Sequence, residues 1–112
     1  MSRNLDPLAH LSADMKGFYR RTVRAFQLAG HHKRLLVCAA ESHDRMTQAR
    51  ALLAREGITT VDRHGQVRPH PAVAIERDSR IGFARLLREL GLADEADAAR
   101  PPALTRRYAG RD

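Results

Sequence analysis

The stretch from Gly57 to Leu92 constrains the fold more than any other part of this chain of 112 residues. It follows a helix-forming run, and Gly57 suits the left-handed position just past a helix end. The β-branched run 58–61 predicts a strand. Gly65 can adopt the positive φ of a hairpin turn, so residues 66–68 are predicted to return as a second strand. The pattern therefore indicates a helix that leads into a short β-hairpin.

A long amphipathic helix is predicted to follow the hairpin. Pro71 suits its first position, where no backbone donor is needed, and His70 is placed to cap or orient this start. Gly91 would end the helix. Gly82 lies in its interior, where glycine costs close to 1 kcal/mol relative to alanine, and we interpret it as a site of close helix packing. Because its arginines alternate with acidic residues, this helix is expected to form ion pairs rather than to bind DNA.

Two further helices are predicted before the hairpin. Ser12 can cap the first helix, whose apolar positions recur at three- and four-residue steps as far as Leu28. Gly30 breaks or kinks this run, and the second helix extends from about His32 to Glu56, with apolar positions on two faces. We therefore predict a mainly α fold, in which an N-terminal helical hairpin, a short β-hairpin and a long C-terminal helix lie between disordered tails.

Length and composition predict one domain with a thin core. Residues 1–11 are interpreted as a flexible lead-in, residues 12–92 as the helical core with its hairpin, and residues 93–112 as a flexible C-terminal tail. Three Phe, two Tyr and no Trp leave the core to aliphatic side chains, which together with the two-faced second helix predicts self-association. The one cysteine, Cys38, is interpreted as a small buried hydrophobe.

The formal net charge of +7 favours a polyanionic partner. Residues 1–57 carry ten basic and five acidic side chains, a balance of +5, whereas residues 58–112 carry ten and eight, a balance of +2. Two alternatives remain open for this charge, namely a solvated outer face and an arginine bias that only reflects genome base composition. The predicted DNA-contacting residues form a stripe on the first helix and a cluster at the start of the second: Lys16, Arg20, Arg21, Arg24, Lys33 and Arg34.

No catalytic residue, metal site or cofactor is predicted. The sequence has no Walker loop, nucleophile elbow or cluster of metal ligands. The strongest case for catalysis is a nuclease-like ribbon with Asp62, His64 and His70, but the asparagine and the further ligands of such a site are missing. The adjacent His31 and His32 diverge by about 100° on a helix, so we do not expect them to chelate a metal together.

The ordered set of features resembles the small subunit of phage terminase. The resemblance covers roughly residues 31–92 and extends back through the second helix. The residues that carry it in and after the hairpin are Gly57, Gly65, His70, Pro71, Arg77, Leu86, Leu87, Leu90 and Leu92, and those in the preceding helix are Ala39, Asp44, Arg45, Ala49 and Leu53.

The resemblance implies a non-catalytic subunit that recognises double-stranded viral DNA as a ring-like homo-oligomer. Such a subunit delivers the genome to the terminase large subunit, which holds the ATPase and the nuclease. Two alternatives stay open: a small helical dimeric DNA-binding transcriptional regulator, and an assembly adaptor that does not use its charge to bind DNA. The sequence contains no membrane-length apolar run and no signal-peptide pattern, so we expect a protein of the host cell cytoplasm with no membrane partner.

Overall fold

A computed structural model describes residues 6–92 of the chain. The predicted mainly α fold with a short antiparallel hairpin is confirmed. Two helix bounds differ from the prediction, because the first helix ends three residues before Leu28 and the second begins two residues before His32. The predicted tail of residues 93–112 lies outside the described residues. In chain order, the elements are α1 (Ala13–Ala25), α2 (Gly30–Glu56), β1 (Thr59–Val61), β2 (Val67–Pro69) and α3 (Pro71–Glu89).

Helix α2 is the centre of the fold, because both of the other helices pack against it. Its Leu36, Ala39 and Ala40 are fully buried, and Met46 and Ala49 are nearly so. The contact with α3 is much more extensive than the contact with α1. Much of the apolar surface predicted on α2 is therefore buried within the chain, and self-association remains a prediction.

The segment just before α1 belongs to the core. The Asp6 carboxylate accepts a hydrogen bond from the Leu8 N–H at 2.9 Å and so shapes a turn. Leu8 and Leu11 are buried, 7% and 5% exposed, against Met15 and Ala40. Residues 6–11 are predicted to belong to the flexible lead-in, whereas two of their side chains, Leu8 and Leu11, lie in the core. Two leucines on one turn are too short a pattern for periodicity to detect.

The β-hairpin is held by its turn rather than by packing. The Gly65 φ of 79° confirms the predicted turn glycine. One oxygen of the Asp62 carboxylate accepts the N–H groups of His64 and Gln66 at 2.8 and 3.0 Å. The other oxygen accepts the Arg68 Nε–H at 3.1 Å. Together these bonds hold the Asp62 pKa below its usual value, chiefly through the Gln66 backbone bond.

Cys38 contradicts its sequence interpretation, because it is exposed. It lies 200° around α2 from the fully buried Leu36, and it lines a surface pocket together with Ser79 of α3. The helical period alone does not show whether a position beside a packed helix stays exposed. Among the helices of residues 6–92, none is long and apolar enough to cross a membrane.

Candidate nucleic-acid interface

Helix α1 presents a basic arc on the side away from the core. Met15 and Thr22 are its buried residues. At 100° per residue, the Lys16, Arg20 and Arg24 positions lie 100° to 180° around the helix from Met15. Arg20 and Arg24 are exposed, and Lys16 is half-buried. With a rise of 1.5 Å per residue, this line extends about 12 Å along the helix.

Arg21 widens this arc on its other side. It is exposed, and it lies about 240° around the helix from Met15. Its guanidinium folds back over Gly17, where an added Cβ atom would lie 3.0 Å from the Arg21 Nη1. The glycine therefore leaves room for this side-chain conformation.

The start of α2 adds the second half of the predicted set. Its first turn contains no acidic residue, and both Lys33 and Arg34 are exposed. The His32 Nδ1 accepts the Ala29 N–H at 3.4 Å, which is a weak cap. The His31 and His32 rings lie 4.1 Å apart between centroids, so the two side chains meet despite their divergence on the helix. Cations here oppose the positive end of the helix dipole, and an anion would relieve that conflict.

The two sets flank one short connection. Arg24 is in the last turn of α1, and α2 begins at Gly30. Residues 13–34 hold six Lys and Arg side chains and one acidic side chain, Asp14. None of the six lies within 4.0 Å of a carboxylate oxygen of residues 6–92. The fold therefore concentrates positive charge that is not compensated by carboxylates of the described chain.

Carboxylates of α2 hold α1 at its N-terminal end. The Ser12 N–H and hydroxyl donate to the two oxygens of Asp44 at 2.7 and 2.6 Å. The Ser12 hydroxyl also accepts the Met15 N–H at 3.1 Å, which confirms its predicted capping role. Nearby, the His10 Nε2 lies 2.7 Å from a Glu41 oxygen. Sequence reasoning identifies the Ser12 cap but not Asp44, because a contact 32 residues away leaves no local pattern.

His70 joins three elements of the structure. Its Nδ1 accepts the Ala72 N–H at 2.9 Å and so caps α3, as its position before Pro71 predicts. The Nε2 is then free to carry the ring proton and donates to Glu56 at the end of α2, at 2.8 Å. The His70 backbone N–H donates to the Ile58 carbonyl beside β1 at 2.8 Å. The bond from His70 is also the main cause of the lowered pKa of Glu56.

The other structural residues occupy the places that the sequence predicts. Gly57 follows α2 with a φ of 85°, and Pro71 is the first residue of α3. His70 is only 7% exposed and both of its ring nitrogens are engaged, while Asp62 is committed to the hairpin turn. The Asp62 carboxylate and the His70 ring nitrogens therefore already have protein partners in this arrangement. Within residues 6–92 there is no group of three or more His, Cys, Asp or Glu side chains that could hold a metal ion.

These features define a small helical protein with one basic end and a projecting hairpin. A family model described as phage terminase, small subunit, matches residues 19–100, which is 82 of the 112 residues. The chain therefore belongs to the phage terminase small subunit family. The match starts earlier than the resemblance seen in the sequence and includes the C-terminal half of α1 from Tyr19 onward, but not Lys16. No curated protein and no solved structure matches the chain.

Proposed function

We propose that this protein is the DNA-recognition subunit of a viral DNA-packaging terminase. It binds double-stranded viral DNA as a ring-like homo-oligomer in the host cell cytoplasm and delivers the genome to the large subunit. The large subunit supplies the ATPase and nuclease, and this chain is non-catalytic. Family membership supports the packaging role over that of a transcriptional regulator.

The observation that carries the DNA-binding part is the uncompensated charge at the α1–α2 connection. Lys16, Arg20 and Arg24 follow one line on α1, and the Arg21 side chain lies beside it. Lys33 and Arg34 extend the charge onto α2. Arginine and lysine side chains contact phosphates without reading sequence, so one subunit is expected to bind with little base specificity. Repetition of the contact in an oligomer raises the overall affinity without new contacts.

The test is a salt titration of duplex binding. Replacement of Lys16, Arg20 and Arg24 by alanine is expected to weaken binding to all sequences, because phosphate contacts release counterions. The slope of log affinity against log salt should become shallower by up to about 2.7 for each subunit that contacts the DNA, at about 0.9 for each lost contact. Binding is measured by fluorescence anisotropy between about 50 and 300 mM salt.

The matched control replaces three exposed arginines of α3, Arg77, Arg85 and Arg88, by alanine. It removes the same charge from a different surface, so the salt slope is expected to stay close to wild type. If both triple variants lose binding equally, then total charge determines affinity and the placement on α1 is wrong. If the α1 variant binds as wild type while Arg106 and Arg107 to alanine abolishes binding, the contact lies in the C-terminal tail.

A further inference from the structure

The β-hairpin exposes apolar side chains that nothing in residues 6–92 covers. Ile58, Val61 and Val67 are 67%, 68% and 69% exposed, the highest values among the large hydrophobic residues described. A two-stranded hairpin is marginally stable by itself in water. A partner that covers its exposed apolar surface and pairs with an open strand edge would therefore stabilise it.

Two backbone hydrogen bonds establish which groups point outward from the hairpin. The Asp62 N–H donates to the Gln66 carbonyl at 2.9 Å, and the His70 N–H donates to the Ile58 carbonyl at 2.8 Å. In an antiparallel pair, such hydrogen-bonded residues alternate with residues whose N–H and C=O point away from the partner strand. With Thr60 opposite Arg68, the even-numbered residues of both strands are the inward set.

The residues whose backbone N–H and C=O groups point away from the hairpin differ between the two edges, and we call them the outward set. On β1 it consists of Thr59 and Val61, each with an N–H and a C=O that point away from β2. On β2 it consists of Val67 and Pro69, and proline has no N–H to donate. All four residues are exposed. Pro69 thus weakens the β2 edge, whereas the β1 edge is complete.

We propose that the outer edge of β1 is a self-pairing surface, on which the β1 strand of a second copy of this chain binds antiparallel. The proposal deepens the self-association that is part of the proposed function, and it rests on it. In the two-fold register, Thr60 lies opposite Thr60 of the second copy. Thr59 of each copy then forms a hydrogen-bonded pair with Val61 of the other, and these two pairs together contain about four N–H···O bonds.

The side chains and charges along the β1 edge are compatible with a second copy of this chain as the partner. Directly opposite residues lie on the same face of a sheet, so Thr59 and Val61 of both copies form one apolar face. The register also brings the exposed Arg63 towards Gly57 of the second copy, where α2 ends at Glu56. A cation is favoured at a helix C-terminus and beside a carboxylate. A head-to-tail pairing of β1 with β2 would lose the donor that Pro69 lacks.

A two-fold contact closes on itself, because each copy offers the same strand to the other. It joins copies in pairs and does not build a ring, whose neighbouring subunits meet head to tail through a second, different contact. In an oligomer that has both contacts, the hairpin contact links a subunit of one ring to a subunit of another, and the assembly has two-fold axes perpendicular to the ring axis.

The register is tested by a disulfide at residue 60. In the pair of opposed Thr60 residues, the Cα atoms are about 4.5 Å apart, which is within the range for a disulfide. The full-length C38S/T60C variant is expected to form a covalent dimer in most chains under mild oxidation at micromolar concentration. C38S/T59C is the matched control, because position 59 is diagonal to its equivalent in the second copy and the two Cα atoms are farther apart. It should cross-link at least about tenfold more slowly.

A second pair of variants tests which edge is used. T59P and V67P each remove one outward N–H while leaving the hydrogen bonds within the hairpin intact. Placed in the C38S/T60C background, T59P is expected to lower the dimer yield at least about tenfold, because it removes two of the roughly four intersubunit donors. V67P should leave the yield unchanged. The reverse result, or no cross-link in C38S/T60C itself, overturns the proposal.

Circular dichroism of both proline variants reports whether the helices are intact. If T59P is unfolded, the residue-60 cross-link alone decides whether the β1 edges pair.

Failure of the proposed function is recognised separately. Salt-dependent DNA binding without the residue-60 cross-link contradicts only the pairing. A cross-link without DNA binding contradicts only the DNA-recognition role.

Discussion

Helices α1 and α3 both pack on α2, but they do so in different ways. Helix α3 is in contact along much of its length, and the charges of its first half are compensated: Glu76 accepts both Arg50 and Arg80, and Arg77 pairs with Asp78. Arg85 and Arg88, in its second half, have no carboxylate oxygen within 4.0 Å among residues 6–92. Helix α1 has the smaller contact and an uncompensated basic arc. A count of arginines therefore does not locate a binding surface, since the carboxylates beside the arginines decide which of them are available.

The two helices also differ in how their first turns are attached. His70 caps α3 and reaches Glu56, so the start of α3 is tied to the end of α2. Asp44 holds Ser12, so the start of α1 is tied to the middle of α2. The remaining part of α1 leads to the basic connection. We interpret α3 as the structural helix and α1 as the helix that carries the contact surface.

The largest effect is expected from His70→Ala at the start of α3. The variant loses a buried N-cap, which contributes about 1 kcal/mol, and also loses the bond to Glu56. We expect the free energy of unfolding to fall by more than about 2 kcal/mol in urea titrations, since the cap and the bond to a charged group are both lost. His70→Ser should restore only the contribution of the N-cap to the free energy of unfolding, because serine can cap the helix but does not reach Glu56. His64→Ala, at the exposed hairpin tip, is the matched control, and a larger loss there than at His70 would contradict the structural role.

A smaller and more local effect is expected from Asp44→Ala. It removes two hydrogen bonds that Ser12 donates to a charged group, which together contribute about 1–2 kcal/mol at this partly exposed site. Hydrogen exchange should show reduced protection of the α1 amides while those of α3 keep theirs. Asp78→Ala changes the same charge on α3 and should leave α1 protected. Equal loss in both helices would mean that α1 and α3 unfold as one unit.

Interior glycines provide a third comparison, since each of the two helices has one. A Cβ atom on Gly82 of α3 would lie 3.8 Å from the Ser42 Oγ, which is ordinary contact. Gly82→Ala is therefore expected to stabilise the protein by about 0.5–1 kcal/mol. This expectation revises the interpretation of Gly82 as a site of close packing. Gly17→Ala on α1 should stabilise the protein less than Gly82→Ala does, because the Arg21 guanidinium must move. Thermal unfolding of both variants checks the order.

Local signals predict much of this fold. Ser12, Gly57, Gly65, His70 and Pro71 all have the backbone roles that their positions indicate. Their success has a physical reason, because caps and turns are formed by residues within a few positions of each other in sequence.

Features that depend on distant residues are the ones that sequence reasoning misses. The burial of Leu8 and Leu11 and the exposure of Cys38 follow from where α1 and α3 lie around α2. The charge imbalance of residues 1–57 indicates where basic residues concentrate. It does not show which of them have a carboxylate nearby, as Arg50 has in Glu76. The DNA-contacting set on α1 and α2 therefore stays a prediction that the salt titration tests.

The smallest effect is expected from Glu76→Gln, which tests the charge balance of α3. The Arg80 bond, and then the Arg50 bond, keep the pKa of Glu76 below the ordinary value of 4.5. A carboxylate with a lowered pKa in the folded state stabilises the protein fully above its unfolded pKa, and this contribution is lost as the pH falls through the folded pKa. Wild type should therefore lose stability to urea below about pH 4.5, with the Glu56 pKa lowered in the same direction.

Glu76→Gln removes one of these carboxylates, so its urea midpoint should fall slightly at neutral pH and decline less steeply between about pH 5 and pH 3. The change at neutral pH is small because exposed ion pairs contribute little. Glu89→Gln, at an exposed position of the same helix, is the matched control and should follow the wild-type curve. If Glu76→Gln instead strengthens duplex binding as much as the α1 triple variant weakens it, the arginines released on α2 and α3 also contact DNA. In that case the division between a structural α3 and a DNA-contacting α1 does not hold.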